Sequence, residues 1–164
     1  MKLLFIAILF VVFSFAAMGQ TASTTASGTV NIIQPLSITS TGGNLDFGDI
    51  ILTGSTTTYQ IFPTQGQYFQ IMGHPGRSIS IIFNSINLSN AIWVGLNGGT
   101  VGNLLFIPVV VNSQNEPITS GNFYPLLING MMGILDIRVG GSISVAVNQP
   151  HGDYIGTFTV SVSY

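Results

Sequence analysis

No cysteine occurs in the 164-residue chain. That excludes disulfides, thiolate metal sites and thiol nucleophiles at once. Charge is nearly as scarce, at 5% of residues, three basic against five acidic. So few cations exclude a basic nucleic-acid footprint, and they leave little field to steer a charged ligand. They also leave little electrostatic protection against self-association. Runs of the helix formers Glu, Lys, Arg and Ala are missing from the body of the chain. There is no GxSxG elbow, no HExxH, no phosphate-cradling glycine loop and no calcium-loop pattern. An enzyme is not expected, and neither is a cofactor, a metal, a nucleic acid or a small-molecule substrate.

The N-terminus is the first thing positively there. Met1 and Lys2 precede LLFIAILFVVFSFAA, an apolar stretch without a charge, and then Ala17-Met18-Gly19 and the polar run QTASTTASG. This is the pattern of a secretory signal peptide over residues 1–19, cut after Gly19. An uncleaved anchor is the rival reading, and the apolar run is short for a bilayer span. Cleavage would remove Lys2 and leave 145 residues, with two arginines against five acids for a formal charge of −3. That is one ordinary domain, secreted to the exterior or the cell surface, large enough to form a core without cross-links. Residues 20–28 read as a flexible N-terminal arm, and residues 29–164 as the domain.

The body is rich in Gly, Ser, Thr, Asn, Val and Ile, with apolar and polar residues alternating between turn residues, which is strand-and-turn chemistry. Strands are expected at 29–39, broken by Pro35, and at 56–62, 67–72, 78–84 and 91–96. The block LLFIPVVV at 104–111 reads as buried on both faces. Strands at 135–139 and 142–147 flank Gly140-Gly141, a two-residue hairpin signal, and 154–164 closes the chain. A helical turn is possible only near 126–132. Roughly nine short strands argue for one antiparallel β-sandwich, an all-β fold.

Candidate chemistry is thin. His74 and His151 each sit beside Gly and Pro in apparent turns, short of the three or four converging ligands that a metal needs. Asp46 and Asp49 are an acid–base or hard-cation candidate. The plainer expectation is a turn, with Asp46 bonding its own backbone, Phe47 packing inward and Gly48 permitting the bend. Trp93, the single tryptophan, is expected to plug the core from a strand. Tyr59, Tyr68 and Tyr124 are surface candidates for sugar binding, and Asn87-Leu88-Ser89 matches a glycosylation acceptor.

Three stretches together resemble the secreted bacterial family called domain of unknown function 4402. They are ASGTVNIIQPLSITSTGGNLDFGDI, then YFQIMGHPGRSISIIF, then LDIRVGGSISVAVNQPHGDYIGTFTVSVSY. In order they span most of the chain, with the weakest match between about residues 84 and 133. The resemblance implies a small secreted sandwich of immunoglobulin-like or pilin-like form, similar in general pattern to spore-coat-U-like and chaperone–usher pilin domains. It carries no catalytic residue with it.

The chain ends on its most regular alternation, with Phe158, Val160, Val162 and Tyr164 on one side of an extended strand. Pilin-type subunits finish in this way, on a strand that a periplasmic chaperone pairs with before an usher-assembled neighbour does. The arm could donate that neighbouring strand through Ala22, Thr24, Ala26, Gly28, Val30 and Ile32. Val30 and Ile32 could equally belong to the domain's own first strand. The functional expectation is therefore a structural subunit that joins with copies of itself into a pilus-like or other filament. The alternatives are a secreted carbohydrate-binding or adhesin module and a small outer-membrane β-barrel.

Overall fold

The computed structural model describes residues 23–164. The expected leader, 1–19, and the start of the arm, including Ala22, lie outside the described residues. The chain divides into two compact units at residues 32 and 33. Of the first unit, residues 23–32 are all exposed and carry no helix or strand.

The second unit is a two-sheet antiparallel sandwich of ten strands. They are β1 (Ser37–Thr41), β2 (Thr57–Ile61), β3 (Gln67–Gly73), β4 (Ser78–Ile82), β5 (Ile86–Ser89), β6 (Asn103–Asn112), β7 (Phe123–Pro125), β8 (Leu127–Asn129), β9 (Met132–Val145) and β10 (Ser161–Ser163), with one short helix, α1 (Ala91–Asn97). The larger sheet runs β1-β3-β9-β6-β5, with β2 and β8 also paired to β9, and the smaller runs β10-β4-β7. Among the described residues the larger sheet is open, ending on β1 and β5.

β9 is the spine. Its odd-numbered positions, Gly133 through Leu135, Ile137, Val139 and Ile143 to Val145, all face inward and are buried. The alternation passes through Gly140-Gly141 without reversing, so the expected hairpin there is not formed. The glycines serve close approach instead. A Cβ on Gly140 would strike the Ile61 carbonyl, and one on Gly141 would strike the Phe106 ring and the Ile107 carbonyl. On one edge of β9 this is where β2 hands over to β3, with Ile61 opposite Gly141 and Gln67 opposite Val139. A single 3₁₀ turn, Pro63–Gln65, makes the handover. The real two-residue hairpin is Gly130-Met131, between Asn129 and Met132, with Gly130 at φ 61°. It replaces the helical turn expected near 126–132, with glycine at the first loop position, where a positive φ is needed.

Two further expectations are corrected. AIWVGL forms helix α1, not a strand. Asn90 before it is fully buried: its amide donates to the carbonyls of Thr100 and His151, and its side-chain oxygen accepts from the Gly102 N–H. That anchor curls the chain into a turn of helix, which Gly98 ends at φ 78°. β6 is buried on one face for most of its length, not on two: Leu104 and Phe106 point in, while Leu105, Ile107 and Val109 are exposed. Pro108 is tolerated because β5 pairs only as far as Phe106, so from there β6 has a ladder to β9 alone. The first strand also starts later than expected, at Ser37 and not Thr29, and the last is paired only at Ile155 and over Ser161–Ser163.

The core has two parts. The first lies between the sheets, with Ile71, Ile137 and Val139 from the larger and Ile79 and Ile81 from the smaller, all fully buried. The second is built from β6 and β9 alone, as Leu104, Phe106, Ile143 and Val145.

Candidate functional site

The end of the chain runs antiparallel to β4 and β5 but is only partly bonded to them. Ile155 exchanges both main-chain hydrogen bonds with Ser89, at 2.9 and 3.1 Å. Residues 156–160 then have no ladder among the described residues, and β10 resumes pairing with Val162 opposite Ile81. The expected alternation is present throughout. Phe158, Val160 and Val162 are half-buried against the first core, and the intervening threonines and serines are exposed. Phe158 sits between the two cores, its ring edge-on to Phe106 at 5.8 Å and tilted against Phe83 at 6.3 Å. β10 pairs with β4 on one side and forms an edge of the smaller sheet on the other. Such an edge presents unpaired N–H and C=O groups that favour added strands.

Tyr164 is fixed at its tip. Its hydroxyl accepts from the His74 N–H and donates to the Gln34 carbonyl, both at 2.7 Å. The terminal aromatic thus ties β10 to the end of β3 and to the entry of β1. Gly73 lies close below it, and a Cβ there would push the Tyr164 hydroxyl and the Leu126 side chain aside. Of the arm residues singled out from the sequence, Thr24, Ala26, Gly28, Val30 and Ile32 are exposed, with Val30 and Ile32 at 86% and 84%.

Beside the C-terminal segment opens a cleft of about 1330 Å³. Its floor is the second core, one wall includes Phe158, and the other is the segment Gly43–Leu52. In that segment Leu45, Phe47, Ile50 and Leu52 are half-buried, with Phe47 edge-on to Phe106 at 6.1 Å. Among the described residues, no main-chain to main-chain hydrogen bond involves residues 42–56. Asp46 accepts from the Gly48 N–H at 2.8 Å, and Gly48 has φ 67°, which is the turn that the sequence suggested.

Asp46, Asp49, His151 and Asp153 all border this cleft. Among the described residues, however, no three acidic or histidine side chains converge to hold a metal. Trp93 is half-buried on α1, beside Gly152 at the cleft rim, and not on a strand. The three tyrosines do not gather into a platform. Tyr59 packs toward the second core, Tyr68 donates to Asp136 at 2.6 Å, and Tyr124 accepts from the Thr119 N–H at 2.6 Å. The Tyr68 phenol is held above its ordinary value, first by its bond to Asp136 and then by burial and the carboxylate's charge. Asn87 is exposed on β5.

Sequence reasoning found the Asp46–Gly48 turn and the inward Phe47 but not the rest of the Gly43–Leu52 segment, the Asn90 anchor or the Tyr68–Asp136 pair. Only the first left a trace, as the i, i+2 apolar spacing of Leu45 and Phe47 and again of Ile50 and Leu52, shifted in phase at Gly48-Asp49.

These features define a class: an all-β, two-sheet antiparallel sandwich whose last strand forms, among the described residues, an uncovered edge beside a cleft floored by the second core. The profile of the family described as Domain of unknown function (DUF4402) matches residues 15–164, and the chain belongs to that family. No curated protein matches the chain.

Proposed function

We propose that the protein is an extracellular structural subunit that joins with copies of itself, by strand exchange, into a pilus-like or other filament. The observation carrying this is the C-terminal segment. Its side chains alternate in register with the core, yet, among the described residues, 156–160 lack a ladder and β10 has one partner strand only. A strand laid along that edge would gain main-chain hydrogen bonds, and its alternate side chains would reach the cleft. The arm is a suitable donor, because Val30 and Ile32 lie two residues apart and are exposed. A charge content of 5% offers little repulsion between subunits. Before assembly, a periplasmic chaperone is the partner of matching chemistry for the same edge, with an usher to follow.

The test is deletion of Thr21–Ile32. The expected product is a folded domain that forms no filaments in negative-stain images of secreted material. Filaments that persist after the deletion would exclude the arm as donor. One observation favours a second reading, a carbohydrate-binding or adhesin module: Trp93 and Tyr154 border the same cleft. Such a module would remain a single subunit at high concentration and be retained on a glycan array.

A further inference from the structure

The segment Gly43–Leu52 packs as a strand and bonds as a loop. Leu45 reaches both cores, and Phe47, Ile50 and Leu52 rest on Leu104, Phe106, Ile143 and Val145. Yet its single hydrogen bond among the described residues is the local one between Asp46 and Gly48. Side-chain burial, with no ladder, holds this strap in place. Its anchors are different in kind. β1 is paired along its length with β3, and β2 along its length with β9. The strap can therefore leave the cleft without either anchor unpairing, an opening at the low-energy end of local motions.

The strap and the unbonded stretch at Gly156–Phe158 border one cleft. A strand added along that stretch would send alternate side chains onto the cluster that the strap now covers, so the two cannot occupy it together. We infer that the strap is an intramolecular placeholder, which covers that cluster until residues 23–32 of a second copy displace it. This inference rests on the strand-exchange reading above. The arm is the fitting occupant because it offers what the strap lacks. It carries an exposed i, i+2 apolar pair, Val30 and Ile32, and its main chain is free of any strand pairing. The strap provides burial only, whereas the arm provides burial and a ladder. That difference in free energy is what drives an exchange. Until it happens, the covered groove keeps single subunits from presenting a bare apolar floor.

The test compares hydrogen exchange in the single secreted subunit and in its filaments. Amides of residues 156–160 should become protected in the filament, while those of 43–53 exchange as fast as in the free subunit, or faster. Phe47→Ala, which loosens the strap, should speed filament nucleation roughly tenfold, the change that about 1.4 kcal/mol of lost strap packing would give. Asp46→Ala, which removes only the Gly48 cap, should act in the same direction and more weakly, without touching the cluster. Trp93, at the cleft rim, reports the opening by its emission. If filaments form with residues 43–53 protected alongside 156–160, or if both variants nucleate no faster than the parent, the placeholder is overturned while strand exchange stands. Filaments in which 156–160 gain no protection, or a chain that never leaves the single-subunit state, overturn both.

Discussion

The two cores are buried to nearly the same degree and are held shut by different means. Ile79, Ile81, Ile137 and Val139 are fully buried between two hydrogen-bonded sheets. Phe106 and Ile143, at 2% and 3% exposure, are scarcely less so, but the strap above them makes no main-chain to main-chain bond among the described residues. Side-chain burial without a ladder is cheap to undo, because no backbone partner is left unpaired when it opens. At the closed end, separating the layers must break ladders and expose apolar surface together. Accessible surface alone would rank the two ends as equals. The hydrogen bonds separate them, and they place the yielding side beside the C-terminal edge.

Paired truncations should expose that difference most strongly. Ile137→Ala removes a fully buried branched side chain from the middle of the spine and should cost about 2–5 kcal/mol in urea denaturation. Leu52→Ala removes a half-buried side chain from the strap and should cost roughly 1 kcal/mol or less, as the loop can settle over the gap. Equal losses would mean that the strap is as firmly integrated as the spine, and the distinction between the ends would fail.

Glycines sharpen the comparison with a smaller effect. On the spine, Gly141→Ala must push a methyl group into the Phe106 ring and the Ile107 carbonyl, and overpacking of this kind costs about 1–3 kcal/mol. On the strap, Gly43→Ala meets nothing within 4 Å and should be neutral, or stabilising by about 0.4–1 kcal/mol through the unfolded chain. Thermal denaturation of both variants checks the pair. A Gly43 variant that falls as far as the Gly141 variant would show that the strap is tightly constrained.

How much of this was legible in the sequence follows the same division. Where alternation is clean and bounded by turn residues, as at 67–73 and 78–82, the expected strands lie within a residue or two of the observed ones. The all-β class and the inward face of Phe158, Val160 and Val162 were legible for the same reason. Errors arose where a local pattern has two physical solutions. Gly140-Gly141 suits a hairpin or a strand crowded on both edges, and only the long-range partners Ile61 and Phe106 decide between them. AIWVGL is too short for its period to be read, and the helix depends on Asn90 bonding to Thr100 and to His151, sixty-one residues away. Beyond its Asp46–Gly48 turn and the inward Phe47, the strap was missed because it lacks pairing, and its phase shift at Gly48 hides the alternation.

The smallest expected effect concerns the outer face of the closed end, and it runs with pH. There Tyr68 donates to Asp136 at 2.6 Å, and Gln70 donates to the same carboxylate oxygen at 3.1 Å. The bond to Asp136 is the main cause that raises the Tyr68 phenol above its ordinary value; burial and the carboxylate's charge add to it, while Gln70 and Arg138 oppose it. The folded chain thus holds this proton more tightly than the unfolded chain does. The unfolded phenol ionises first, at about pH 10. Stability from the pair is therefore complete below that value and is lost as pH rises through the higher folded one. Past that point a phenolate faces a carboxylate across the β3–β9 ladder, and the contact becomes repulsive. The parent's urea midpoint should fall more steeply than that of Tyr68→Phe once pH exceeds about 10, where the phenol begins to ionise. The strap's hydrogen exchange, corrected for its intrinsic pH dependence, should be the same in both chains. Parallel curves would show that the pair contributes nothing, and a strap that loosens with Tyr68 would show that the two ends are coupled.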